Sequence, residues 1–238
     1  MPQPTIILRT SRSRRAGCDH ATMTPLTADI LADRAAAAPD PVADPARWVY
    51  RKSAVVSVPE MAREPEVTER WTTADGTAAA AYVDGRLETT SSLEVPAISY
   101  AALRELPGDP AALAQLLADT PVPRDDDAWN PGHAFEMAVA LLESYIVPPS
   151  VAASLYRALG QLPGIAVITD AADAAGRRGP AFLLAGQPGG NQLLSVSAAD
   201  CRFAGYQFLG RGLDLADETA WGVAILEIAT VTGPGRYP

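Results

Sequence analysis

Trp221-Gly222-Val223-Ala224-Ile225-Leu226-Glu227-Ile228-Ala229-Thr230 decides the fold. Its apolar residues fall on consecutive positions, without the three-to-four spacing of an amphipathic helix, which suits a central or strongly packed strand. Working back from it, Ile165-Ala166-Val167-Ile168-Thr169-Asp170, Ala181-Phe182-Leu183-Leu184-Ala185, Gln192-Leu193-Leu194-Ser195-Val196 and residues 203 to 209 read as further strands. Gly, Pro and Asp turns separate them, and no helix intervenes. Gly186-Gln187-Pro188-Gly189-Gly190-Asn191 is glycine-rich, but no Lys-Ser/Thr and no helix follow it. It reads as a hairpin turn, not a phosphate cradle.

Before these strands the period changes. Ser99 can cap a helix at Tyr100 to Leu106, and Asp109-Pro110 opens Ala111 to Ala118, with Leu113, Leu116 and Leu117 as its apolar stripe. Asn130-Pro131 starts a helix over His133 to Ile146, with Phe135, Ala138, Val139, Leu142 and Ile146 on one face. Pro148-Pro149-Ser150 stops that helix and caps the next, Val151 to Leu162, which Pro163-Gly164 closes. Earlier still, Trp48 to Val58 reads as a strand. Val67 to Thr73 and Ala79 to Asp84 form a hairpin across Asp75-Gly76, and Arg86 to Thr90 adds a short strand. A first helix over Asp29 to Ala38 has Thr27 as its N-cap and ends at Pro39-Asp40-Pro41.

Strands, then helices, then strands is a segregated α+β pattern. The expected architecture is one curved antiparallel sheet, half-barrel-like, built from both halves, with the N-terminal helix and the short central helices on its concave face. Residues 1 to 22 carry Arg9, Arg12, Arg14 and Arg15 against Asp19, a net +3 that contrasts with −9 for the whole chain. They read as a basic disordered tail or a misplaced translation start at a position before Met23, leaving 23–238 as a single domain. The folded part is therefore net −12, which argues against nucleic acid as a partner. No secretory or twin-arginine signal fits residues 1 to 22, and Ala16-Gly17-Cys18 lacks the apolar segment of a lipoprotein signal. No window is long and apolar enough for a membrane span, so the chain as written reads as cytoplasmic. Cys201 reads as a buried thiol, and Cys18 has no partner spacing with it. Arg177-Arg178 reads as a turn that keeps its cations in water, with an anion grip as the alternative.

Several segments carry a resemblance. Ala35-Ala36-Ala37-Ala38 through Trp48-Val49-Tyr50, the Trp71 to Gly85 hairpin, Ser99 to Leu103 with Pro107-Gly108-Asp109-Pro110, and above all Val147 to Ile165 followed by Asp173 to Gly179 resemble a family of actinobacterial proteins. The likeness runs over residues 28 to 232, and the single Lys52 with abundant alanine agrees with a GC-rich genome. The resemblance implies a membrane-tethered protein with an extracytoplasmic α+β domain, similar in element order to the half-barrels of lipoprotein carriers and of sensors that regulate sigma factors. The membrane helix of that family is missing here, and the family supplies no catalytic residues.

Chemistry-bearing residues are few. His133 and Glu136 stand at i, i+3 on one helix, with Asp127 upstream, a spacing that suits an acid/base pair. A transition-metal site needs further His or Cys, so no metal and no cofactor is expected. There is no Gly-x-Ser-x-Gly elbow. The aromatic residues Trp48, Tyr50, Trp71, Tyr82 and Phe135 are the expected lining of an apolar pocket between sheet and helices, which needs a cavity above about 300 Å³. The sequence thus points to a non-enzymatic binding or sensing domain for an apolar or lipid-like ligand. The alternatives are a small hydrolase or isomerase working through His133, Glu136 or Asp127, and a structural domain that docks a protein partner.

Overall fold

The computed structural model describes residues 26–40, 42, 47–57, 65–75, 77–90, 99–120, 131–187, 190–210 and 221–238. In chain order the elements are α1 (Ala28–Ala36), β1 (Trp48–Val56), β2 (Glu66–Thr73), β3 (Ala79–Val83), β4 (Arg86–Thr90), α2 (Tyr100–Arg104), α3 (Pro110–Asp119), α4 (Pro131–Ser144), α5 (Pro149–Gln161), β5 (Ile165–Ala172), β6 (Arg178–Gln187), β7 (Gly190–Val196), β8 (Phe203–Leu209) and β9 (Trp221–Val231). All nine strands join one open antiparallel sheet in the order β4-β3-β2-β1-β9-β8-β7-β6-β5. The last strand is its centre, as the consecutive apolar run requires: β9 pairs with β1 from Gly222 to Val231 and with β8 from Trp221 to Ala224. Within the sheet, among the described residues, it is the strand that ties the N-terminal meander β1–β4 to the C-terminal meander β5–β8.

Curvature comes from local irregularities. Lys52 opposes Glu227 and Ser53 opposes Ile225, so Leu226 is an extra residue on β9. Further register shifts fall in the β5–β6, β6–β7 and β7–β8 pairs. Each such bulge bends its strand and increases its twist. Gly205 on β8 has φ +153, at the place where β8 approaches Val223 and Ala224.

The helices start where capping chemistry predicts. Thr27, Ser99 and Asp109 accept from the backbone N–H groups of Ile30, Ala102 and Ala112 at 3.3, 3.0 and 2.8 Å, which satisfies donors that have no partner within their helices. One expected cap is corrected. Ser150 lies inside α5, and Pro148 occupies the N-cap without a side-chain hydrogen bond, because proline fixes the backbone and removes a donor there.

The core lies between α1, α3, α4, α5 and one face of the C-terminal half-sheet. Leu31, Leu113, Phe135, Leu155 and Leu159 meet Phe182, Leu184, Leu194, Val223 and Ile225. α5 is the pivot of this layer, with eight residues from Val151 to Leu159 buried. The helices do not cover the whole concave face as expected. Their main sheet contacts are with β5, β6, β8 and the start of β9, whereas among the described residues β1 and β2 meet only the short α2, through Tyr100 against Val49 and Ala74, and the chain leaving α4, through Tyr145 and Ile146. The reason is composition. On β1–β4 the helix-side residues include Arg51, Ser53, Thr68 and Arg70, which interrupt the apolar residues of that face with groups that are costly to bury under a helix stripe.

Candidate functional site

Where the helical layer stops, a groove of about 550 Å³ opens on the same face of the sheet, above β1–β4 and beside the C-terminal end of α4. Its volume is in the range of small-molecule sites. The apolar part of its floor comes from Val55 on β1, Val223 and Ile225 on β9, and Ala79, Ala81 and Val83 on β3. Sheet registry dictates this set. Val55 opposes Val223, Ser53 opposes Ile225, and alternate residues share a face.

The polar part is organised around Arg51. Its Nη2 donates to the carbonyl of Tyr145 at 2.9 Å, just beyond the last turn of α4. A cation there meets unpaired helix carbonyls and the negative end of the helix dipole. Burial pushes the guanidinium down to about 10; Glu143 opposes this shift and Arg70 adds to it. Burial likewise pushes the Glu143 carboxyl up, with the Arg51 charge opposing. Arg70 stands directly opposite Arg51 in the β1–β2 register. In the next pair on the same face, two residues along, the Ser53 and Thr68 hydroxyls lie 2.9 Å apart. Sequence reading missed this rung. The alternation of β1 was visible, but the connection from residue 57 to 65 is too long to fix which residue of β2 faces Arg51.

The expected site residues are split between places. Phe135 is fully buried in the helix–sheet core, against Tyr206 with ring centroids 6.5 Å apart. Trp48, Tyr50, Trp71 and Tyr82 are on the opposite face of the sheet, so the five aromatics line no common pocket. Even strand positions on β1 and odd ones on β2 point away from the helices, and the period of two carries all four there together. Tyr50 and Trp71 among them are covered by the C-terminal segment. Trp71 Nε1 donates to the Arg236 carbonyl at 2.8 Å, and Tyr237 packs edge-on against Tyr50 and Trp71 at 5.4 and 5.7 Å. Glu69 closes the cluster, accepting from the hydroxyls of Tyr50 at 2.8 Å and Tyr237 at 3.0 Å.

Burial would raise the Glu69 carboxyl, but the two tyrosine hydrogen bonds and Lys52 outweigh it and hold it below the usual carboxylate range. A folded-state pKa below the unfolded value of about 4.3 stabilises the fold above that pH, and the contribution disappears as pH falls through the folded value. Urea unfolding of the wild type from pH 6 downward is expected to show this acid loss, and Glu69→Gln is expected to flatten it while lowering stability at pH 6. Parallel pH profiles of the two proteins would contradict the assignment.

His133 and Glu136 do not act on one another. His133 Nε2 donates to the Thr120 carbonyl at the end of α3 at 2.7 Å, whereas Glu136 accepts from Gln192 Nε2 on β7 at 3.3 Å. Asp127 lies outside the described residues. Among the described residues no group of three or more His, Cys, Asp and Glu is placed to hold a metal ion. Cys201 is buried, and burial pushes its thiol up. It sits at a positive φ of 55 just before β8, in a turn and not within a strand. Arg177 and Arg178 are paired with Asp173 and Asp170, so this hairpin uses its cations internally. A recess of about 370 Å³ beside them is lined by these arginines and by Arg202, which is paired with Asp200. No helix among the described residues is long and apolar enough to cross a membrane.

No family model matches the chain, and no curated protein matches it. Among solved structures it is similar to a chain in the complex structure of Pseudomonas aeruginosa MucA/MucB, with a TM-score of 0.31 and 13% identity over 89% of this chain and 58% of that one. The present chain thus spans less than two thirds of that neighbour's length. A likeness at this level says nothing about a site or a partner.

Proposed function

We propose that this protein is a non-catalytic binding or sensing domain, and that its ligand is an amphipathic, lipid-like small molecule held in the groove over β1–β4. The observation that carries this reading is the half of the concave face that the described helices leave uncovered. The helices seal one half of the sheet into a core, and at its edge Val55, Val223 and Ile225, with Ala81 beyond them, form an apolar groove floor beside a charged rim. Apolar floors with a few oriented polar groups are the usual form of small-ligand sites. The hydrolase alternative draws no support from His133 and Glu136, since each is held by a different structural partner.

A test fills the groove. Ala81 is on β3, opposite Arg70, with its side chain on the groove face. Ala81→Trp adds a strand-compatible side chain there without touching the core. The neutral apolar dye N-phenyl-1-naphthylamine is expected to bind the wild type with enhanced fluorescence, and the variant at least about tenfold more weakly, equivalent to ~1.4 kcal/mol. Equal dye binding by a folded Ala81→Trp protein would overturn the assignment of the groove.

A further inference from the structure

We infer that Arg70, backed by Arg51, selects the ionised head of a single-chain anionic amphiphile, of which a fatty carboxylate is the simplest. The inference rests on the groove being the ligand site. Arg51 and Arg70 oppose each other across neighbouring strands and present their side chains to the same groove. Like charges directly opposite in a sheet are destabilising, so such a pair on a concave surface is a rule broken at a cost. Burial is the main influence that pushes the Arg51 guanidinium down, and the facing Arg70 charge pushes it the same way.

Compensation is one-sided. Arg51 donates to Tyr145 and has Glu143 within electrostatic reach, while Arg70 makes no hydrogen bond or ion pair among the described residues. Two other carboxylates border the groove, and neither serves Arg70. Glu88 is two strands away on β4, across Ala81, and Glu69 is engaged on the opposite face by Tyr50 and Tyr237. Arg70 is therefore a cation without a contact partner among the described residues, on the strand between the apolar floor of β1 and β9 and that of β3. The Ser53 and Thr68 hydroxyls flank it as further hydrogen-bonding groups. A carboxylate fits that vacancy of charge, because a planar guanidinium binds it through two parallel hydrogen bonds. The alkyl chain then lies along Val55, Val223 and Ile225.

The experiment compares laurate with its neutral counterpart 1-dodecanol, each displacing N-phenyl-1-naphthylamine from the full chain at pH 8 and low salt. Laurate is expected to displace the dye about tenfold better than 1-dodecanol, the size of a charge-assisted hydrogen-bond contribution. Arg70→Gln should abolish that preference and leave 1-dodecanol unchanged. Its thermal midpoint should stay level or rise, since the substitution relieves the opposed charges. If laurate has no advantage, or keeps it in Arg70→Gln, the anion inference is overturned while the groove stands. Dye binding that neither amphiphile displaces overturns the lipid-like ligand and the inference together.

Discussion

Trp71→Ala is expected to cost the fold about 3–5 kcal/mol, the usual loss for removing a fully buried tryptophan. Trp71 has no exposed surface and is packed by three aromatic rings, those of Tyr50, Tyr82 and Tyr237, at 5.2, 5.8 and 5.7 Å. Deleting the indole leaves a cavity that a sheet face cannot collapse to fill, and it removes the only side-chain donor to the Arg236 carbonyl among the described residues. The damage should also be regional. Residues 233–238 lose their anchor, so their amides should exchange with deuterium far faster than in the wild type, while those of α5 follow the global change alone. Trp71→Phe keeps most of the ring packing and should retain more stability than Trp71→Ala. A Trp71→Ala loss below about 1 kcal/mol by urea unfolding would mean that the C-terminal segment does not seal this face.

Gly205→Ala is expected to be nearly as damaging, by about 3 kcal/mol, for a backbone reason. At φ +153 an L-residue is strained, and a Cβ there would lie 2.2 Å from the Val223 carbonyl oxygen and 3.1 Å from the Ala224 Cα. Neither neighbour is a flexible side-chain tip, so β8 or β9 must move. That displacement falls on the pairing Gly205–Ala224 to Phe208–Trp221, which holds the C-terminal meander to the central strand. Gly176→Ala offers a control. Its φ of +77 is also strained, but a Cβ there meets nothing within 4 Å, so its loss should be smaller by the whole steric contribution. Equal losses for the two variants would contradict this account of the β8–β9 seam.

Much of the architecture was legible in residue patterns, and the failures have physical causes. The run from Trp221 to Thr230 reads as a central strand because consecutive apolar positions need cover on both faces, and β9 is indeed central. The caps at Thr27, Ser99 and Asp109 and the helix stripes were readable from local chemistry alone. The aromatic residues were misplaced for a different reason. Period two says that Trp48 and Tyr50 share a face, but not which face meets the helices, since aromatics satisfy either side. What turns them outward is the segment around Tyr237, contributed from the far end of the chain, whose packing has no periodic signal. The Arg51–Arg70 rung was hidden likewise by register, and Glu143 and Tyr145 reach it from the end of α4 and just beyond, some ninety residues away in sequence. His133 and Glu136 had the spacing for joint chemistry, yet the helix turns one toward the end of α3 and the other toward β7.

The central claim is that ligand occupies the groove over β1–β4. The most direct test is an amide chemical-shift map of the ¹⁵N-labelled protein titrated with N-phenyl-1-naphthylamine. The largest shifts are predicted for residues 51–55, 68–70, 79–83, 143–145 and 223–225, while α3 and the β5–β6 hairpin stay still. Shifts concentrated on the aromatic face around Trp71 and Tyr237, or in the recess beside Arg177 and Arg178, would contradict it.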